Sequence, residues 1–436
     1  MQMIKLSVIA LAVAAASTQM AVASQQSESN GFIEDSKLDA HARVLYMNRD
    51  FRNDTGTTTR NSYNEDTGLG LKAIYESGFT QGTVGFGVDA FGLQGIKLDS
   101  GGGRFGNGQF PGSSRDGTEK AADYYSRAGG AVKARLSNTV LKYGDQFVDL
   151  PVLSTDDSRL LPETTTGFLV TSNEIENLEL NLGHFTALNA QDAARFDSNL
   201  DGALRSIDLA GGRYNFTNDL SAAYYYSDAE LGHKGDGRFD IKKHYTNVNY
   251  NLPLADAQNL NFDFNMYNTK FKDKDNSSNS KNNIWSLAAA YSFLDAHTLT
   301  FAHQRSTGGL DGGYVYGYDG VNAIYLANSV QYQDFDQKGE KSFQARYDLD
   351  MATFGVPGLS FMTRYVRGSN IENVAGTRND GKNWERNIEA KYVIQNGTAK
   401  DLSFRMRQAT YRANDAANRV DNNEVRLIVE YPLSIL

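Results

Sequence analysis

Cysteine is absent from the 436 residues and proline occurs only six times. Without thiols, neither a disulfide-stapled secreted fold nor a thiolate metal site is available. Without proline-rich or serine-rich stretches, no linker marks a domain boundary. Beyond the N-terminus no run approaches the roughly 18 consecutive apolar residues of a membrane helix, and mean hydropathy is −0.49. A helical membrane protein is thereby excluded, but a barrel is not, because only alternate residues of a barrel strand face lipid while the lumen is polar. Catalytic signatures are missing as well. His41, His184, His233, His244, His297 and His303 have no metal-ligand spacing such as HExxH, so neither a metal nor a cofactor is expected. No GxSxG elbow is present, although a triad built around His184 from distant residues stays open as a minor hydrolase alternative. No nucleic-acid partner is expected.

The chain begins with Lys5, an apolar run from Leu6 to Ala16, and Ala21-Val22-Ala23. This is the layout of a cleaved export signal, and its apolar run is too short to be a spanning helix, which needs about 20 residues. Residues 1–23 are therefore expected to be a signal peptide and 24–436 the mature domain; removing 23 from 436 leaves 413. Gly (41), Tyr (24) and Phe (23) are spread along the whole length, which suits one large all-β unit.

Alternation with a period of two recurs in segment after segment. Val425, Leu427, Val429 and Tyr431 share one face while Glu424, Arg426, Ile428 and Glu430 share the other. The same pattern sets Phe404 and Met406 against Arg405 and Arg407, Tyr392 against Lys391, Phe361 and Tyr365 against Arg364, Leu287 and Tyr291 against Ser286 and Ala288, and Val44 against Arg43. A helix would repeat every 3.6 residues. Tight turns are expected at Leu254–Asn259, Leu294–His297, Val356–Gly358 and Asn396–Asp401. Longer polar loops are expected at Lys270–Asn283, Arg305–Asn328, Val366–Arg386 and Arg412–Asn423. A hairpin then takes roughly 40 to 60 residues, which gives about 18 antiparallel strands, long extracellular loops and short periplasmic turns. A transmembrane β-barrel that wide encloses an aqueous channel. Tyrosines at Tyr124-Tyr125, Tyr224 to Tyr226, Tyr314 to Tyr318 and Tyr431 suit interfacial girdles; the alternative is the general preference of tyrosine for strands.

A lipid-facing Arg or Lys at mid-membrane costs about 2 to 4 kcal/mol, so Arg364, Lys391, Arg405, Arg407 and Arg426 should point into the lumen. Successive strands could stack them into a column suited to carboxylates, since guanidinium offers paired donors and keeps its charge. Equally, they could serve as structural partners of Glu389, Glu424 and Glu430. The segment Asp149–Glu163, with Asp156, Asp157, Ser158 and Arg159, has two prolines and several charges; the residues alone slightly favour an ordinary exposed loop over one folded into the pore. Gly101–Gly108 lacks the Gly-Lys-Ser/Thr ending of a phosphate-binding loop, and the segment from Lys270 to Ser278 lacks the glycine and final glutamate of a calcium loop. Both are expected to be solvated surface loops.

Ordered stretches along the mature chain resemble the OprD family of substrate-specific outer-membrane porins. They are Gly31–Ser36 with Asn48–Arg52, Arg159–Thr164, Gly183–Thr186, Gly211–Tyr214, Trp285–Tyr291, Leu326–Tyr332, Ala345–Leu349, Gly355–Leu359, Ala399–Arg405 and Arg426–Leu436. The resemblance implies an 18-stranded barrel whose third loop folds inward, a basic ladder on one wall and an acidic pocket nearby. It places Arg405, Arg407, Arg426 and Lys391 on ladder positions. It puts Asp149–Glu163 on the constricting loop, reversing the preference from the residues alone. The chain departs from some members that take up basic amino acids: Val321-Asn322-Ala323 stands where those members carry an acidic residue of the pocket, with Asp319 nearby as the possible acidic-pocket residue.

The expectation is passive uptake, without chemistry, of small carboxylate-bearing nutrients, aromatic acids or amino acids, by a monomer or loose trimer in contact with outer-membrane lipid. An adhesion or binding protein anchored by its barrel is the rival, followed by the serine-type hydrolase. Deleting Glu424–Leu436 should abolish membrane insertion, because the first and last strands must pair to remove both edges. Loss of heat-modifiable gel migration is the expected result, and its persistence in the truncated protein would contradict a closed barrel.

Overall fold

The computed structural model describes residues 24–436 other than 53–62, 101–102, 114–119, 195–203, 233–237, 276–277, 310–323 and 373–379. The signal segment 1–23, His233, Asp319 and Tyr314 to Tyr318 lie outside the described residues.

Eighteen antiparallel strands form one sheet. In chain order they are β1 (Lys37–Arg52), β2 (Tyr63–Glu76), β3 (Val84–Asp99), β4 (Tyr124–Leu136), β5 (Thr139–Gln146) and β6 (Thr164–Ile175). Next come β7 (Leu178–Asn189), β8 (Leu204–Asn215), β9 (Leu220–Leu231), β10 (Phe239–Ala255), β11 (Gln258–Asp273) and β12 (Ser278–Phe293). The last are β13 (His297–Gly308), β14 (Lys341–Asp350), β15 (Leu359–Ile371), β16 (Gly381–Val393), β17 (Ser403–Ala413) and β18 (Asp421–Ser434). Each strand pairs with its neighbours in sequence, and β18 pairs with β1 from Asp39↔Ser434 to Arg52↔Asp421. The sheet is thus a closed barrel with every strand edge paired, as a bilayer demands of a β-structure. The expected tight turns fall at 256–257, 294–296, 351–358 and 394–402.

Three of the expected long loops are shorter, because strands continue into them. Lys270 pairs with Lys281 inside the sheet, β15 runs to Ile371 and β16 starts at Gly381, and β18 starts at Asp421. Near the extracellular rim both faces of a strand are wet, so the apolar half of the alternation disappears while backbone pairing goes on. Adjacent tyrosines also divide between faces. Tyr124 and Tyr224 are 74% and 51% exposed on the outer wall, whereas Tyr125 and Tyr225 are 5% and 4% exposed inside. Tyr125 Oη donates to Gln109 O (2.8 Å) and Tyr225 Oη to Asn181 Oδ1 (2.8 Å). Only alternate members of each pair suit a girdle.

The apolar core lies within the lumen. A short hairpin after β5 pairs Asp149–Leu150 with Leu153–Ser154. It buries Val148, Leu150, Val152 and Leu153 against Phe185, Ile207, Tyr245, Tyr267 and Ile284 of the β7–β12 wall. Tyr267 Oη donates to Pro151 O (3.0 Å). Across the barrel, Leu160 and Leu161 pack with Phe110, Leu45, Phe91 and Leu93. Glycine permits that approach: a Cβ on Gly70 would stand 2.6 Å from the Leu160 carbonyl oxygen, and one on Gly68 would stand 2.6 Å from Leu160 Cδ2. The segment after β5 therefore crosses the channel with an apolar anchor at each end.

Replacing Leu153 by Asp removes burial worth about 2 to 5 kcal/mol and adds a carboxylate where nothing solvates it. The variant barrel should fold and show a larger single-channel conductance, because the hairpin leaves the wall. An unchanged conductance in correctly folded protein would show that this anchor does not set the opening.

Candidate functional site

The pleat and the strand register build a charged wall from β14 round to β1. Arg346 is the direct cross-strand partner of Arg364, which in turn faces Asn387. Glu389 faces Arg407, and Lys391 faces Arg405; Arg407 faces Arg426. All of these occupy the inward positions of their strands, opposite exposed Tyr365, Ile388, Phe404, Met406 and Leu427. Arg364, Arg405 and Arg426 are buried, while Arg407 and Lys391 are partly exposed to the lumen.

Carboxylates on this wall are shared between guanidinium groups. Glu389 lies 3.5 Å from Arg405 Nε and 3.0 Å from Arg407 Nε. Glu424, with no solvent exposure, accepts from Arg49 Nε (2.6 Å), Arg426 Nε (2.6 Å) and Gln331 Nε2 (3.0 Å). Arg364 Nε donates to Asn387 Oδ1 (2.9 Å), and Arg346 pairs with Asp348 at 2.6 Å. Two arginines per acid at Glu389 and Glu424 leave positive charge in excess at the centre of the wall.

The tip of the segment after β5 closes over this surface. Asp156 takes a local role, accepting from Ser158 N (2.8 Å) and Ser158 Oγ (2.6 Å). Asp157 is tied to the barrel: Arg43 Nη1 donates to Asp157 Oδ1 (2.7 Å) while Arg43 Nε donates to Glu430 Oε1 (2.9 Å), and Lys72 stands 3.4 Å from Asp157. Burial opposes ionisation of Asp157, but the charges of Arg43 and Lys72 prevail and hold its carboxyl below the usual carboxylate range. Its tether is therefore complete above that range and weakens only as pH falls through the lowered value. Arg159 donates from Nε to Asn107 O (2.9 Å) and from Nη1 to Ser158 Oγ (2.9 Å). Desolvation, followed by the charges of Arg426 and Arg49, pushes Arg159 down to about 9, so it stays charged at neutral pH.

A second inward segment, residues 324–340 after β13, begins within the expected extracellular loop Arg305–Asn328 and turns into the lumen instead. It crosses from β12 and β13 to β16 and β18. Ala327 N donates to Ser286 Oγ (3.0 Å) and Asn328 N to Gln304 Oε1 (3.0 Å). At the far wall Tyr332 N and Gln333 N donate to Glu385 (3.0 and 2.9 Å). Asp334, Asp336 and Glu340 lie in this segment, and burial raises all three, Glu340 to about 7. The two segments meet where Tyr325 Oη donates to Asp149 Oδ1 (2.5 Å). Arg426 reaches both, donating to Ser158 O (3.4 Å) and Gln331 O (3.2 Å).

The structure thus brings Arg405, Arg407, Arg426, Ser158 and Arg159 together through Glu389, cross-strand pairing and the tip of the segment after β5, and sets Arg364 further along the wall. Alternation alone would have found Arg43 and Lys72, which occupy inward positions; the acids that pin the second segment, Glu385 and Glu424, have partners far away in sequence. His184 hydrogen-bonds Asp208 Oδ1 (2.7 Å) on the exposed outer wall, and among the described residues no serine hydroxyl bonds its ring. No group of three or more His, Cys, Asp or Glu positioned to hold a metal occurs among the described residues.

Comparison with known proteins assigns this architecture. The chain is 48% identical to Porin D of Pseudomonas aeruginosa across the full length of both. Among solved structures, Acinetobacter baumannii OccAB1 is 34% identical with a TM-score of 0.85, covering 95% of this chain and 100% of that one. Pseudomonas aeruginosa OpdK, solved with vanillate, is 30% identical with a TM-score of 0.78, covering 93% of this chain and 100% of that one. The family described as outer membrane porin, OprD family, matches residues 30–435, and this chain, a closed 18-stranded barrel of the outer membrane, belongs to the OprD family of porins.

Proposed function

We propose that this porin passes small carboxylate-bearing nutrients down their gradient, with Arg405, Arg407 and Arg426 handing the carboxylate from one guanidinium to the next. The observation that carries the proposal is the sharing of Glu389 by Arg405 and Arg407, and of Glu424 by Arg49 and Arg426. The planar fork of a guanidinium matches the two oxygens of a carboxylate and keeps its charge at any physiological pH. Shared acids also keep each hold weak, which conduction requires, since a site that binds tightly does not release. The pinned tip at Asp156, Asp157, Ser158 and Arg159 narrows the route so that a solute must pass beside the arginines. Vanillate, the aromatic carboxylate solved with OpdK, is of the same substrate class. Lys391 and Arg364 extend the positive surface on either side. Passage is diffusion through a shaped field, with no bond made or broken.

Replacing Arg405 and Arg407 together by Ala should lower uptake of an anionic substrate such as benzoate several-fold and shift the reversal potential toward cations, because Glu389 would then lose both of these guanidinium partners. Lys in the same two positions should have a smaller effect, since an ammonium keeps the charge but cannot present the planar pair of donors. A folded double-Ala variant with wild-type uptake and wild-type reversal potential would make these arginines structural partners of Glu389 only.

A further inference from the structure

The outer wall of the barrel is electrically lopsided. On every strand from β11 to β16 an outward position near the extracellular end carries a cation: Lys270, Lys281, Arg305, Lys341, Arg367 and Arg386. Lys341 is partly exposed and the others are exposed. The outward positions of these six strands hold no Asp or Glu, and toward the periplasmic ends they hold no Lys or Arg, only residues such as Phe293, Tyr347, Phe361 and Tyr392.

Register makes the arrangement costly unless something else is there. Lys270 and Lys281 are direct cross-strand partners, and so are Arg305 and Lys341. Like charges placed opposite each other on one face of a sheet repel, and none of these four makes an ion pair among the described residues. Lys242, the partner of Lys270 on β10, does have an acid, Asp228, at 2.8 Å. Among the described residues, Lys242 of β10 is thus neutralised by Asp228 of β9, while Lys270, Lys281, Arg305 and Lys341 on the next four strands have no such acid.

Aromatic side chains fix the depth of these cations. Trp285 faces Arg305 across β12 and β13. Phe343 and Trp384 flank Arg367, and Tyr365 faces Arg386. Outward aromatic rings mark the interface between hydrocarbon and headgroups, so the cations lie level with the headgroups of the outer leaflet.

We propose that this sector binds the phosphate groups of the anionic glycolipid of the outer leaflet, with one phosphate bridging Lys270 and Lys281 and another bridging Arg305 and Lys341. A phosphate between two such cations turns the cross-strand repulsion into paired charge-assisted hydrogen bonds, while the acyl chains cover the apolar wall below. The binding is sector-specific: it fastens one side of the barrel to the lipid and is separate from the channel within.

The test uses the full-length protein in detergent, incubated with lipid A bearing both phosphates or with the same lipid stripped of them, and retained lipid is read by native mass spectrometry. Wild type should retain the phosphorylated lipid roughly tenfold or more over the stripped form, on the scale of a favourable contribution from each basic residue at an anionic surface. The combined variant Lys270→Gln, Lys281→Gln, Arg305→Gln and Lys341→Gln should lose that preference and keep wild-type single-channel conductance. Equal retention of the two lipids by wild type overturns the proposal even if the variant fails to fold. Full preference in a folded variant overturns it as well, and a two-chain mass that depends on the same four residues would assign the sector to self-association instead.

Discussion

The pleat of a β-strand sends successive side chains to opposite sides, and in a closed barrel those sides are lipid and water. Nearly every feature of this porin follows from that one constraint. Arg405 and Arg407 must lie inside because Phe404 and Met406 lie outside, and direct pairing of Arg407 with Arg426 then carries positive charge from strand to strand. Closure of β18 on β1 brings Arg43 and Arg49 to the same wall, where Glu430 and Glu424 receive them.

A wide barrel would be an unselective hole without a filling, and here the filling is two chain segments held by opposite kinds of force. The segment after β5 is fixed by burial of Val152 and Leu153 at one end and Leu160 and Leu161 at the other. The segment at 324–340 is fixed mainly by side-chain carboxylates and amides, above all Glu385, Gln304 and Glu424. Arg426 touches both. It is therefore part of the constriction's framework as well as of the charged wall, and Arg405 and Arg407 are the cleaner probes of conduction.

The inward direction of the arginines was legible in the sequence because it depends on a period of two, strand number because turns and loops recur at hairpin spacing, and closure because a bilayer leaves no strand edge unpaired. Loop limits were less so: around Lys270 and Lys281 the apolar half of the pattern fades although the backbone remains paired. Tyrosine clusters misled for the converse reason, since adjacent residues cannot share a face, and Tyr125 and Tyr225 turn inward to hydrogen-bonded positions. The inward course of Asp149–Glu163 followed from family resemblance, not from its residues. The course of residues 324–340 was missed because its partners lie on β12, β13, β16 and β18, and long-range pairings leave no local signature. Asp319, the suggested acidic-pocket residue, lies outside the described residues.

A constriction that draws a carboxylate by charge behaves differently from one that simply admits solutes of the right size. Benzoate and benzamide share size and shape and differ in charge, so current block of single wild-type channels by each separates the two possibilities directly. Attraction by charge gives brief, concentration-dependent interruptions with benzoate, weakening as salt screens the arginines, and none at equal benzamide concentration. Indistinguishable block by the two compounds would contradict it.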